Sequence, residues 1–138
     1  MIEFIVRGSG PVYFVDDDEL YQMIMRRVYE WAGLTNEFVC FSSGTACVEA
    51  LHAVLGDGAT IPALVLLDVN MPMVNGIETV RRIRVHEEFA EVPIITMLSS
   101  SNDDSDIAAA LDAGASSYCE KPMDIRSIQF LSMPEEAG

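Results

Sequence analysis

The sequence predicts one α/β domain of doubly wound (βα)5 architecture, in which a parallel five-stranded sheet with strand order 2-1-3-4-5 lies between two layers of helices. The first observation is composition: 138 residues, half of them hydrophobic and 22% charged, are typical of one globular domain. The second is a regular alternation of short β-prone runs with segments whose apolar residues recur at helical spacing. The third is the run 63–67, which is apolar throughout, as expected for a strand buried on both faces.

Five strands are expected, and each is followed by a predicted helix. Gly33, Gly56 and Gly114 mark the expected ends of the first, second and fourth helices, because glycine readily adopts the left-handed backbone that closes a helix. The third helix is expected to follow the Asn75-Gly76 turn. The strands are assigned to residues 12–15, 37–41, 63–67, 93–98 and 117–119. The candidate N-caps are Ser42 or Ser43 for the second helix and Asp103 or Asp104 for the fourth.

The two ends of the chain carry weaker patterns. Asp124 is a candidate N-cap for a short fifth helix, whose apolar stripe would hold Ile125, Ile128 and Leu131. Residues 1–10 precede the first strand and are expected either to add a strand or to lack regular structure. The chain is therefore divided into an N-terminal extension at 1–10, a domain at 11–132 and a tail at 133–138.

The overall charge and the cysteine content narrow the function classes. Eight basic and 22 acidic residues give a formal net charge of −14, which disfavours sequence-independent binding to nucleic acid and suits a cation or a basic partner. Three cysteines without a CxxC pair, and two histidines, argue against a disulfide framework and a structural zinc site. Because Glu3 and Arg7 interrupt the apolar N-terminal run, neither a signal peptide nor a membrane span is expected, and the cytoplasm is the expected location.

Charged and polar side chains follow four of the five predicted strands. Asp16–Asp18 come after the first strand, Asp68 after the third, Ser99 and two further serines after the fourth, and Lys121 after the fifth. In open α/β sheets, ligands bind outside the carboxyl ends of the strands. With the predicted strand order, these four strand ends are contiguous and their side chains converge on one pocket.

These residue types suit the acceptance of a phosphoryl group. Carboxylates that are only a few ångströms apart repel one another unless a hard cation such as Mg²⁺ is bound between them. A carboxylate beside Mg²⁺ can attack phosphorus, while a lysine neutralises the phosphoryl oxygens and a hydroxyl donates to them. Each residue alone has a simpler interpretation: Asp17 or Asp18 as a helix cap, Asp68 as a turn former, Ser99 and Lys121 as surface residues. Their joint placement favours the phosphoryl site.

The same residues form five separated motifs that resemble the receiver domain of two-component response regulators. The motifs are Val15-Asp16-Asp17-Asp18, Leu66 to Pro72 with Asn75-Gly76, Leu98-Ser99-Ser100, Ala113-Gly114-Ala115 with Tyr118, and Lys121-Pro122. The resemblance extends from about Pro11 to Ile128. It implies a flavodoxin-like (CheY-like) fold and a phosphoryl donor that is a phosphohistidine on a histidine kinase or a histidine phosphotransfer protein.

The resemblance also implies a role for each site residue. Asp68 is the phosphoacceptor, and Mg²⁺ is held by Asp68, by Asp17 directly, by Asp16 largely through water and by the backbone carbonyl of Asn70. Lys121 pairs with a phosphoryl oxygen.

Ser99 and Tyr118 are implied to be the switch residues, the tyrosine ring turning inward when the hydroxyl moves toward the phosphoryl group. Because the segment from Pro93 to Ser99 is one residue longer than is usual in the family, Thr96 competes for the hydroxyl role, although it is expected to point into the strand. The Lys121-Pro122 peptide bond is expected to be cis.

The preferred function is a single-domain receiver that is not an enzyme beyond its own phosphotransfer and autodephosphorylation chemistry. Only 17 residues follow Lys121, so output is expected to pass through a downstream protein target, a homodimer or a phosphorelay, unless the chain is an excised fragment. The alternative is a Mg²⁺-dependent phosphatase of the haloacid dehalogenase type, but Asn70 stands where that family needs an acidic aspartate. A flavin binder would need a phosphate loop where this chain has Asp16–Asp18.

Overall fold

Strands and helices alternate from residue 12 to residue 120 in the computed structural model, which describes residues 2–58, 60–69, 75–98, 104–122 and 124–134. The strands are β1 (Ile2–Arg7), β2 (Val12–Val15), β3 (Phe38–Phe41), β4 (Leu64–Asp68), β5 (Ile94–Leu98), β6 (Ser117–Glu120) and β7 (Ile128–Met133). The α-helices are α1 (Glu19–Ala32), α2 (Gly44–Asp57), α3 (Gly76–Arg84) and α4 (Asp104–Ala113). Short 3-10 turns occupy Glu87–Phe89 and Ile125–Ser127. None of the helices in this part of the chain combines the length and the hydropathy that crossing a bilayer requires.

Five of the strands form a parallel sheet in the order β3-β2-β4-β5-β6. Counted along the chain from β2, this is the predicted order 2-1-3-4-5. The register places Val15 beside both Phe41 and Leu67, and Asp68 beside Met97. The carboxyl ends of the central strands therefore reach the same edge of the sheet, and this alignment builds the site.

The central strands are almost entirely apolar because helices or a second sheet cover both faces. On one face, Val15 and Leu67 pack in a core with side chains of α2, α3 and α4. On the other face, Phe14 and Leu66 pack with side chains of α1, β1 and β7. Alternate residues of each strand point to opposite faces, so a largely apolar run is expected.

The predicted fifth helix is wrong, and a strand takes its place. Residues 128–133 form β7, which pairs in parallel with β1 from the other end of the chain, Phe4 opposite Phe130. Burial in both strands has period two, with Phe4, Val6, Ile128 and Phe130 buried and their neighbours exposed or partly exposed. The helical stripe predicted for this segment left out Phe130, the largest apolar side chain in it. We call this pair of strands the β1–β7 ribbon.

The β1–β7 ribbon is part of the hydrophobic core and covers the sheet face that it shares with α1. The ring centroids of Phe4 and Phe130 are 5.3 Å apart, and that of Phe130 is 5.0 Å from Tyr29 of α1. Of the two expectations for residues 1–10, an added strand is the one that the structure has, at Ile2–Arg7.

The structure defines both ends of α2 and the start of α4. The predicted end of α2 at Gly56 is wrong: the helix continues to Asp57, and Gly58 closes it in the left-handed conformation with φ of 67°. The N-cap of α2 is Ser43, whose hydroxyl accepts from the backbone N–H of Ala46 at 3.1 Å. For α4, Asp104 is the first helical residue and Asp103 lies outside the described residues.

Arg84 at the end of α3 links this helix by hydrogen bonds to the segment 89–92 and to Gly114 after α4. Its guanidinium donates to the backbone carbonyls of Gly114 at 2.9 Å and Val92 at 2.8 Å, and also to that of Phe89. By contrast, Arg82 on the same helix is exposed and pairs only loosely with Glu78, at 3.6 Å.

We expect Arg84→Ala to lower the free energy of unfolding by about 2–4 kcal/mol, because several partly buried carbonyls lose their donor at once. Urea denaturation measures the change. Arg82→Ala is the matched control and is expected to change the stability by less than about 0.5 kcal/mol. Equal effects of the two variants would contradict the structural role of Arg84.

Candidate functional site

Three carboxylates converge at the carboxyl edge of the sheet. Asp16 directly follows β2, and Asp68 is the last residue of the neighbouring strand β4. One carboxylate oxygen from each of Asp16, Asp17 and Asp68 lies within 4.8 Å of the others. Asp16 and Asp68 are 0% and 4% exposed, whereas Asp17 is exposed. The structure thus brings together the acidic side chains that the sequence predicted to meet.

The neighbouring Asp18 has a different task, because it caps α1. Its carboxylate accepts from the backbone N–H groups of Leu20 at 3.0 Å and Tyr21 at 3.3 Å. The carboxylate of Asp16 accepts from the backbone N–H of Asp18 at 2.9 Å, which fixes the turn between β2 and α1. The cap interpretation therefore applies to Asp18, and the Asp17 carboxylate belongs to the cluster.

Lys121 supplies the positive charge of the site. Its Nζ lies 2.7 Å from Oδ2 of Asp16 and 3.4 Å from Oδ2 of Asp68. Partial burial lowers the pKa of Lys121, but the hydrogen bond to Asp16 and the negative charge of Asp68 outweigh burial, and the net shift of the pKa is upward. The amine therefore stays charged at neutral pH and is anchored between two buried carboxylates.

Tyr21 is a site neighbour that the sequence analysis missed. Its ring lies beneath the Lys121 amine, 4.3 Å from the centroid to Nζ, and its hydroxyl donates to the carbonyl of Pro122 at 2.7 Å. Burial first, and the negative charge of Asp16 second, raise the pKa of Tyr21, so the phenol stays neutral and able to donate. The sequence signal for Tyr21 was its position three residues after the Asp18 cap, which places it on the first turn of α1, next to the site.

The prediction of a cis peptide bond between Lys121 and Pro122 is wrong in this structure. No cis peptide occurs among the described residues. The trans form is the intrinsically favoured one for a peptide bond before proline. In this arrangement the Pro122 carbonyl meets the Tyr21 hydroxyl.

The charge balance of the cluster fits a divalent cation. Asp16, Asp17 and Asp68 bring three formal negative charges, and Lys121 is the cation that pairs with the two buried ones. These four groups therefore carry a formal charge of −2. All of the clustered acidic donors are carboxylate oxygens, the ligands that Mg²⁺ prefers. The residues present thus fit the ion that the sequence predicts.

Helix α3 begins directly beside the end of β4. The N–H of Gly76 donates to the carbonyl of Val69 at 3.1 Å. A Cβ atom on Gly76 would lie 2.8 Å from Cα of Val69 and would also collide with the carbonyl oxygen of Asp68, so only glycine allows this approach. The Asn75 side chain caps the helix by accepting from Glu78 N–H at 2.9 Å.

Of the candidate switch residues, Tyr118 and Thr96 lie among the described residues. Tyr118 lies on β6 and is 44% exposed. Thr96, the competing hydroxyl, is fully buried in β5 and approaches the carbonyl of Ser117 at 3.5 Å, so it points into the sheet as expected. Ser99 and Asn70 lie outside the described residues, and their roles stay predictions.

The family comparison covers most of the chain. The sequence model of the response regulator receiver domain matches residues 12–130. The match does not test the predicted division of the chain into residues 1–10, 11–132 and 133–138, which stays a prediction.

Several curated proteins are similar in sequence. The chain is 28% identical to the Probable methanogenesis regulatory protein FilR2 of Methanothrix harundinacea, over 91% of this chain and 81% of that protein. It is 34% identical to the KDP operon transcriptional regulatory protein KdpE of Escherichia coli, over 86% of this chain and 47% of KdpE. It is 31% identical to the DNA-binding transcriptional regulator NtrC of Escherichia coli, over 84% of this chain and 22% of NtrC. The chain thus spans less than half the length of the last two.

Solved structures share the fold. A response regulator receiver domain from Rhodospirillum rubrum is 26% identical, with a TM-score of 0.71 over 83% of this chain and 82% of that one. The Mn²⁺-bound form of the response regulator Rcp1 is 20% identical, with a TM-score of 0.70 over 87% of this chain and 86% of that one. The predicted flavodoxin-like fold is confirmed.

Proposed function

This chain belongs to the response regulator receiver domain family, and on that premise we propose that it is a phosphoacceptor switch in two-component signalling. The Asp68 carboxylate accepts a phosphoryl group from a phosphohistidine of a histidine kinase or a histidine phosphotransfer protein. One observation carries the proposal: Asp68 ends a central strand within 4.8 Å of the Asp16 and Asp17 carboxylates and 3.4 Å from the Lys121 amine.

The proposed transfer forms one bond and breaks one bond. A carboxylate oxygen of Asp68 attacks phosphorus, the P–N bond of the phosphohistidine breaks, and its electron pair returns to the imidazole of the donor, which takes up a proton. The product is an aspartyl phosphate. Because a carboxylate attacks without giving up a proton, the receiver needs no general base.

Lys121 and the acidic pair prepare the site for this charge. In the structure the Lys121 amine pairs with Asp16 and Asp68, which supports its proposed role of pairing with a phosphoryl oxygen once Asp68 is modified. Asp16, Asp17 and Asp68, with the Asn70 carbonyl, would hold Mg²⁺, which supplies positive charge to the phosphoryl oxygens when bound. The Mn²⁺-bound form described for Rcp1, a protein of the same fold, supports a divalent ion here.

Phosphorylation of Asp68 is proposed to change the protein-binding surface of the domain. The phosphoryl group carries about two negative charges, which replace the single charge of the buried Asp68 carboxylate, and it shifts a pre-existing equilibrium. We propose that Ser99 moves to donate to it and that the exposed ring of Tyr118 turns inward. A downstream protein then binds the surface around β6.

The partner is proposed to be a protein rather than nucleic acid. KdpE and NtrC are named as transcriptional regulators, and this chain spans 47% and 22% of them. The net charge of −14 repels a phosphate backbone, so we propose that residues 1–138 do not themselves bind DNA. A homodimer, a cytoplasmic location and action as a single domain also stay proposals.

The test is labelling with a small phosphodonor. With acetyl phosphate and Mg²⁺, the intact mass is expected to increase by one phosphoryl group, and EDTA is expected to prevent it. The competing phosphatase function predicts sustained turnover of p-nitrophenyl phosphate, which we do not expect, because Asn70 stands where the acidic residue would be needed. Turnover that depends on Asp68 would establish the phosphatase instead.

Asp17→Asn is expected to weaken Mg²⁺ binding by at least about tenfold, because the variant lacks one anionic oxygen donor of the cluster. Isothermal titration calorimetry measures the affinity. Asp18→Asn is the matched control: it removes a charge one residue away, while asparagine is as good a helix cap as aspartate. If both variants bind Mg²⁺ as tightly as the parent protein, Asp17 is not a metal ligand.

A further inference from the structure

The only two histidines of the sequence meet on the surface, far from each other along the chain. The Nε2 atoms of His52 and His86 are 2.9 Å apart, their ring centroids are 4.8 Å apart, and the rings are inclined by 81°. His52 lies on α2, and His86 lies between α3 and the following 3-10 turn. At this distance the two nitrogens cannot both carry a proton without a clash, so they share either one proton or another cation.

We propose that His52 and His86 bind a divalent transition-metal ion of the class that favours imidazole, represented by Cu²⁺, Ni²⁺ and Zn²⁺. The ion would be held by the Nε2 atoms of both side chains and would link α2 to the end of α3. This site is separate from the acidic cluster, and it does not depend on the proposed phosphoacceptor function.

The distance between the two nitrogens fits adjacent positions on one ion. Two nitrogens about 2.05 Å from a metal are about 2.9 Å apart at a right angle and about 3.3 Å apart at the tetrahedral angle. The measured separation of 2.9 Å therefore needs little or no movement to accept an ion in square-planar or octahedral geometry.

The ring positions are also informative. A straight hydrogen bond of this length would put the ring centroids about 5.2 Å apart, whereas two rings at a right angle about one ion would have centroids about 4.5 Å apart. The measured 4.8 Å lies between these values. The two rings therefore do not point straight at each other along the line between the nitrogens, as they would in a straight hydrogen bond.

The backbone that carries His52 and His86 is held in place by hydrogen bonds and helical structure. The backbone N–H of His86 donates to the carbonyl of Ile83 at 3.2 Å, and the His86 carbonyl accepts from Phe89 N–H at 3.0 Å. The His86 ring contacts the ring of Phe89, which is fully buried, with a centroid distance of 6.0 Å. On the other side, His52 lies well inside the 14-residue helix α2. Because the backbone at both positions is already fixed, less entropy is lost when the two side chains bind one ion.

The donor set distinguishes this site from the acidic cluster. Within the described ranges, the histidine pair has no third acidic or cysteine ligand close enough to form a larger set, so water would fill the other positions. Nitrogen donors favour Cu²⁺, Ni²⁺ and Zn²⁺, whereas the carboxylates of the acidic cluster favour Mg²⁺. The net charge of −14 further favours a cation over an anion as the ligand.

The test uses the full chain without a histidine tag. Because the protein has only two histidines, its imidazole NMR signals come from this pair alone, and substoichiometric Ni²⁺ is expected to broaden both of them together. Calorimetry should give an affinity order of Cu²⁺ above Ni²⁺, and His52→Gln or His86→Gln should each weaken Ni²⁺ binding by at least about tenfold, the double variant adding little.

Asp17→Asn is the control for binding at the acidic cluster and should leave the Ni²⁺ effect on the imidazole signals unchanged. Mg²⁺ should not perturb these signals. Broadening of one imidazole only, no broadening at all, or Ni²⁺ affinities in the histidine variants equal to that of the parent protein would overturn the proposal. The NMR measurement needs no variant, so an absence of broadening overturns the proposal even if a variant folds poorly.

Discussion

Replacing Asp68 with asparagine is expected to abolish labelling of the protein by acetyl phosphate in Mg²⁺. The amide side chain has nearly the same shape as the carboxylate, but its neutral oxygen is a much weaker nucleophile toward phosphorus. The fold should survive, because Lys121 keeps its closer partner Asp16 at 2.7 Å and the repulsion among the clustered carboxylates decreases. Intact-mass spectrometry measures the labelled fraction.

Asp18→Asn is the matched control for this experiment. It makes the same chemical change in the acidic run Asp16–Asp18 beside Asp68, and it preserves the cap of α1, so labelling should continue at close to the parental rate. Undiminished labelling of Asp68→Asn would place the acceptor on another residue. Loss of labelling in both variants would mean that the acidic charge of the region, and not Asp68 itself, is what matters.

Phe4→Ala is expected to lower the free energy of unfolding by about 3–5 kcal/mol, which is a large share of the stability of a small domain. Phe4 is 1% exposed and packs against Phe130 in the core beneath the β1–β7 ribbon. Removing its ring leaves a cavity in this core and weakens the contact between the two ends of the chain. Urea denaturation monitored by circular dichroism gives the change.

Ile5→Ala on the same strand is the control, because Ile5 points to the opposite side and is 38% exposed. Its effect should stay below about 1 kcal/mol. If the two substitutions have equally small effects, β1 does not pack on the sheet as described, and the segment is an accessory extension.

Much of the fold could be predicted because the signals are local. The apolar run of β4 and the helical stripes between strands indicate burial directly. The rule that ligands bind at the carboxyl ends of parallel strands predicts that Asp16, Asp17 and Asp68 meet. The position of Lys121 followed from the same rule, because it comes directly after β6.

The features that could not be predicted depend on partners distant in sequence. β7 is a strand because β1, from the opposite end of the chain, offers it a parallel partner, and no local pattern contains that fact. The same holds for Tyr21, which meets Pro122, and for the contact between His52 and His86. In each case the side-chain identity was visible in the sequence, but its neighbour was decided by topology.

The most direct test of the central claim is a crystal structure of the protein with Mg²⁺ and beryllofluoride, which mimics a phosphoryl group on a carboxylate. Our account predicts the adduct on the Asp68 carboxylate, with Mg²⁺ bound by Asp17 and near Asp16, and with the Lys121 amine directed at a fluorine atom. An adduct on another residue, or a Mg²⁺ ion bound away from Asp17 and Asp68, would contradict the account.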